Sequence, residues 1–159
     1  MAVETLERLA ADGGDYTLTI AGAGEDSPDL IRRLAASPAR DRIRWLGRVP
    51  HDDVPALLAE HGILLLTSRY EASPTVVKEA LRLMRPVVCT DVGNVADWLD
   101  EDATGFVCGS TPLELAHGVL RATRLIEEGR YRHTEKIRRL DEAAIMDEVL
   151  DLYRCLATR

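Results

Sequence analysis

Two acidic residues, Glu71 and Glu79, lie eight positions apart on either side of a Ser-Pro-Thr segment at 73–75. One ionised carboxylate can accept hydrogen bonds from two adjacent hydroxyl groups, such as those of a ribose. Between the two carboxylates the residue types favour the start of a helix, and the first amides of a helix attract phosphate groups. The stretch therefore combines groups that suit both the hydroxyls and the phosphates of one ligand.

A helix is predicted to begin at about Pro74 and to end at about Met84, before the next proline. Ser73 is a favourable N-cap, and Pro74 then falls at the first helical position, where no backbone N–H is needed. The amides of Thr75 and Val76 have no acceptor inside such a helix, and the positive end of the helix dipole lies beside them. The helix start is thus a candidate phosphate site.

The elements around this stretch alternate between strand and helix. The apolar run at 63–66 predicts a strand buried on both faces. Further strands are predicted at 16–21, 43–47, 87–90 and 105–108, and helices at 2–11, 29–36, 53–60, 95–99, 113–128, 132–140 and 143–156. This alternation predicts an α/β fold, a Rossmann-like parallel sheet with helices on both faces. Because ligands bind beyond the carboxyl ends of parallel strands, we expect the loops at 22–24, 48–49 and 68–71 to converge on one crevice.

The motifs, taken in order, resemble the C-terminal, donor-binding half of the two-domain (GT-B) retaining glycosyltransferases of family 4. The resemblance covers nearly the whole chain. It rests on the Glu-x7-Glu motif, Glu-Ala-Leu at 79–81, Arg-Pro-Val-Val-Cys-Thr-Asp-Val-Gly at 85–93 and Thr-Gly-Phe-Val at 104–107. It implies transfer of a hexosyl unit from a UDP- or GDP-sugar to an acceptor, in polysaccharide or glycoconjugate synthesis, without a metal or a prosthetic group.

The resemblance also implies residue roles. Glu71 is the catalytic-site carboxylate that accepts hydrogen bonds from the donor sugar, and Glu79 accepts them from the ribose diol. The turn at 48–49 contacts the base, and the small residues at 22–24 let the ligand approach the backbone. The implied donor-binding residues are Glu79, Ala72, Ser73, Thr75, Val76, Gly22, Gly24, Arg48 and Val49.

The sequence departs from the family pattern at three places. Ala72 stands where glycine is frequent, and Asn94 stands where a second glycine is usual, although asparagine tolerates a left-handed backbone. The first strand of this half, with its diphosphate-binding Arg and Lys, is expected upstream of the first helix and is not in the chain. We therefore expect an unfilled place between the strands near Leu18 and Ile63. This place could be filled or closed in four ways: by an N-terminal acceptor-binding domain, by strand complementation, by a homodimer, or by direct pairing of the two neighbouring strands.

Composition excludes several other classes. The net charge is −7, with no basic run for nucleic acid. No apolar run is long enough for a membrane span. The four histidines have no metal-ligand spacing, and three cysteines without metal spacing favour the cytoplasm. Two alternatives stay open: a non-catalytic nucleotide-sugar-binding domain, and a sugar epimerase or phosphorylase on a similar scaffold.

Overall fold

A computed structural model describes residues 1–23 and 27–140 of the chain. Helices and strands alternate along it, with short 3-10 turns at Arg40–Arg42 and His51–Asp53. The strands are β1 (Leu18–Ala21), β2 (Ile43–Gly47), β3 (Leu64–Leu66), β4 (Val87–Thr90) and β5 (Gly105–Cys108). The helices are α1 (Ala2–Ala11), α2 (Pro28–Ala35), α3 (Val54–Ala59), α4 (Thr75–Arg82), α5 (Val95–Trp98), α6 (Pro112–Glu127) and α7 (Glu135–Arg138). The helix expected at 143–156 lies outside the described residues.

The strands form two parallel sheets rather than the single sheet expected. β1 pairs with β2, and the second sheet has the order β3-β4-β5. Among the described residues, β1 and β3 have no backbone pairing with each other, so direct pairing of these two neighbours is not observed. A side-chain bond joins the two parts, since the His61 ring lies 2.8 Å from the Thr19 hydroxyl. The break falls at the place where the sequence predicts an unfilled strand position.

Helices cover both faces of the three-stranded sheet, as predicted. One face packs α4 and α5 against β4 through Val77, Leu81 and Val95, which are fully buried. The other face packs α6 and α1 against β4 and β5, and Leu115 is fully buried there. All four residues of β4 are buried, as expected for a strand covered on both sides. This buried middle strand, paired on both sides, therefore determines where the loops at its carboxyl end emerge.

No helix in the described part of the chain combines the length and the apolar character that crossing a bilayer would need.

Candidate functional site

The start of α4 is open to solvent. Thr75 is exposed, while Pro74 is buried and anchors the turn below it. The helix begins at Thr75 with Pro74 at the cap position and no side-chain cap, so the prediction that Ser73 caps the helix is wrong by one residue. The reason is that Pro74 keeps an extended ψ of 111°. The first amides have no acceptor within the helix, and Ser73, Thr75 and half-buried Val76 surround the tip.

Glu71 is held in place by its own loop. Ser68 Oγ donates a 2.8 Å hydrogen bond to Glu71 Oε1. The backbone carbonyl of Ser68 in turn accepts a 2.6 Å bond from Thr90 Oγ1, at the end of β4. This chain of contacts ties the loop after β3 to the neighbouring strand. The carboxylate is exposed and therefore available to a ligand.

A shallow cleft, wide open to solvent, lies beside this carboxylate. It brings the loop after β3 together with the turn after β4, and it is lined by Arg69, Tyr70, Glu71, Ala72, Asp91, Val92 and Gly93. Arg69 and Tyr70 belong to the loop at 68–71 that the sequence predicts at the crevice, whereas the sequence predicts no role for Asp91. The signal that points to Asp91 is its place directly after a buried strand, where ligand-binding loops occur.

Gly93 lets the two loops of this cleft approach closely. Its φ is +55°, and a Cβ at this position would lie 2.4 Å from the backbone oxygen of Ala72. Asn94 has a φ of −108°, so the tolerance of asparagine for a left-handed backbone is not used here. Gly93 alone takes the left-handed turn, and a second glycine is not needed for it.

Glu79 lies one turn into α4, on the same helix as the open tip. Its side chain is 23% exposed, and His51 Nε2 lies 3.9 Å from its Oε1. This contact joins the segment after β2 to the helix. The sequence shows no carboxylate partner for His51, because the two residues are 28 positions apart and meet only in the fold.

The remaining predicted donor-binding residues lie at the ends of β1 and β2. The Gly22 amide donates a 2.8 Å bond to the carbonyl of Gly47, which keeps the two strand ends together. Arg48 is exposed and Val49 is half-buried. Neither they nor Gly22 line the cleft beside Glu71, and Gly24 lies outside the described residues. The convergence of all three loops stays a prediction, supported by the His51 to Glu79 contact.

The two thiols of the described residues are not suited to nucleophilic chemistry. Burial raises the pKa of the Cys89 thiol to about 12, with a smaller contribution from neighbouring Cys108. Burial also raises the pKa of Cys108. Thiolates react and thiols do not, so both residues serve packing on opposite faces of the sheet.

No group of three metal-ligating side chains occurs within residues 1–23 and 27–140. The site as described offers carboxylates, backbone amides, one imidazole, and the side chains of Arg69 and Tyr70. These groups suit a ligand with hydroxyls and phosphates.

Comparison with solved structures shows the same fold. HepE from Anabaena in complex with UDP matches with a TM-score of 0.73 and 19% identity, over 96% of this chain and 44% of that one. Sucrose-phosphate synthase from Thermosynechococcus elongatus matches with a TM-score of 0.67 and 21% identity, over 98% and 42% of the two chains. The fold is thus the α/β fold of the GT-B glycosyltransferases.

Sequence comparison gives the family. An alpha-D-kanosaminyltransferase from Streptomyces kanamyceticus is 32% identical over 105 residues, which are 66% of this chain and 27% of that enzyme. The chain therefore spans about a quarter of the length of this relative. The family model described as "Glycosyl transferases group 1" matches residues 1–124. Because that match covers most of the sequence, the chain belongs to the group 1 glycosyltransferases.

Proposed function

We propose that the chain forms the donor-nucleotide-binding half of a retaining hexosyltransferase. The donor is a nucleoside-diphosphate sugar, and the product is a polysaccharide or glycoconjugate. The observation that carries the proposal is the exposed start of α4, with Glu71 in the cleft before it and Glu79 one turn behind it. In this arrangement the diphosphate lies at the helix amides, the ribose at Glu79 and the sugar at Glu71.

The relatives support a nucleotide-sugar donor. HepE was crystallised with UDP, and a 2-deoxystreptamine glucosyltransferase from Streptomyces kanamyceticus is 30% identical over 96 residues. UDP is therefore the first nucleotide to test, with GDP as the second. We propose an N-terminal acceptor-binding domain as the partner of this half, because the chain spans only part of its relatives. The free thiols Cys89 and Cys108 suit a cytoplasmic protein.

Calorimetric titration of UDP and GDP into the chain tests the donor site. We expect binding that weakens about tenfold or more in Glu79→Gln, because the amide replaces a charged acceptor of two hydroxyls. Glu127→Gln is the matched control, since Glu127 is an exposed glutamate near the end of α6. Absence of binding to both nucleotides, or equal losses in the two variants, would contradict the proposal.

Sugar transfer distinguishes an enzyme from a non-catalytic binding domain. We expect the protein with its acceptor-binding half to release UDP or GDP in the presence of a sugar acceptor. Glu71→Gln should lower that rate by at least about tenfold, because the carboxylate holds the donor sugar in position. Nucleotide binding without transfer in that protein would favour the non-catalytic alternative.

A further inference from the structure

We propose that His51 completes the ribose site, because His51 and Glu79 form hydrogen bonds with the same ribose hydroxyl. The inference rests on the proposed function and goes beyond it, because it adds a specificity-determining residue that neither sequence nor family match assigns. Its basis is the pair formed by a largely exposed imidazole and a largely covered carboxylate at the candidate ribose position. The side chain of His51 is 77% exposed and that of Glu79 is 23% exposed.

The separation of the two groups fits a bound hydroxyl. The 3.9 Å between His51 Nε2 and Glu79 Oε1 is too long for a direct hydrogen bond. A hydroxyl oxygen about 2.8 Å from each atom fits this separation, since it then forms two ordinary hydrogen bonds. That hydroxyl donates its proton to the carboxylate and accepts the Nε2–H of the ring. A neutral imidazole is sufficient for this role.

His51 lies on a short turn of the backbone. Pro50 has an extended backbone with φ −55° and ψ 143° directly before the histidine. The Asp53 amide donates a 3.1 Å bond to the Pro50 carbonyl and closes the 3-10 turn. His51 thus stands on a short, closed turn that follows the residues proposed to contact the base. The order base, ribose, diphosphate then runs from this turn across Glu79 to the tip of α4.

Discrimination between ribose and deoxyribose tests the inference. The probes are UDP and GDP with their 2′-deoxy and 3′-deoxy analogues, titrated into the wild-type chain, His51→Ala and His51→Asn. We expect His51→Ala to bind the ribonucleotide about three- to tenfold more weakly, while its affinity for one of the deoxy analogues changes less than about twofold. His51→Asn keeps a donor group and should recover part of the loss. His117→Ala, at an exposed histidine of α6, is the matched control.

Four results would overturn the inference. If His51→Ala loses the same affinity for the ribonucleotide and for both deoxy analogues, the ring acts on the whole nucleotide rather than on one hydroxyl. An unchanged affinity in His51→Ala means that the ring makes no contact. If Glu79→Gln abolishes the discrimination between ribose and deoxyribose while His51→Ala preserves it, the donor site is supported and the proposed role of His51 is wrong. Failure of the wild-type chain to bind any of the nucleotides removes the proposed function as well.

Discussion

At the scale of single residues, the shape of the site depends on Gly93 as well as on the carboxylates. The backbone at Gly93 has a φ of +55°, which costs other residues about 1–2 kcal/mol. A side chain there would also press on the carbonyl of Ala72, a backbone atom that cannot rotate away. The position therefore couples the turn after β4 to the loop that carries Glu71.

We expect Gly93→Ala to lower the free energy of unfolding by about 2 kcal/mol or more, because strain and overlap add. Urea unfolding followed by circular dichroism measures the change. Gly62→Ala is the control, since no atom lies within 4 Å of a Cβ at that position. Its effect should stay within about 0.5 kcal/mol. Similar values for the two variants would show that the close approach at Gly93 does not limit stability.

At the scale of elements, an ion pair joins α1 to the end of α2. The Arg33 guanidinium bonds both carboxylate oxygens of Glu7, and Ser37 Oγ donates a 2.6 Å bond to Glu7 Oε1. The hydrogen bond from Arg33 is the main reason that the pKa of Glu7 lies below its ordinary value of 4.5, with Ser37 adding to the effect. A carboxyl group whose pKa is lowered by folding stabilises the folded state at pH values above its ordinary pKa. This stabilisation is lost as the pH falls through the lowered pKa of the folded state.

Glu7→Gln should therefore cost about 1 kcal/mol of stability at pH 7, a value limited by the partial exposure of Arg33. The difference from wild type should shrink as pH falls from 4.5 through the lowered pKa of Glu7, because the carboxyl of the unfolded state takes up its proton first and that of the folded state follows. The midpoints of urea unfolding at pH 7 and at pH 3 to 4 measure this difference in stability. Glu127→Gln serves again as a control without this pair. If the difference in stability between wild type and Glu7→Gln does not change with pH, the lowered pKa of Glu7 is not the source of the effect.

The elements also show what sequence reasoning can reach. Periodicity and apolar runs predict α1, β2 and β5 at their observed bounds, since these signals are local. The cap of α4 is displaced by one residue, because it depends on the backbone angles of Pro74 rather than on residue type. Thr90 reaches the loop of Glu71, and His51 reaches Glu79, only through the fold. No local pattern marks such contacts, so the site is predicted in outline and its supporting residues are not.

At the scale of the whole molecule, β1 and β3 each have one edge without a strand partner among the described residues. β1 pairs on one side with β2, and β3 pairs on one side with β4. Unpaired edges of this kind readily accept an additional strand. The His61 to Thr19 bond keeps the two edges near each other. We propose that a parallel strand, from an N-terminal half or from a second copy, pairs with both.

Hydrogen exchange measured by mass spectrometry tests this proposal. In the chain alone, amides of β1 and β3 should exchange faster than those of β4, which has a paired strand on each side. With the acceptor-binding half attached, protection should rise in β1 and β3 together and remain unchanged in β5. Sedimentation of the chain alone separates the two sources, because only strand exchange between copies requires a dimer. If β1 and β3 are already as protected as β4 in a monomeric chain, the two edges are closed by other means and no strand is missing between them.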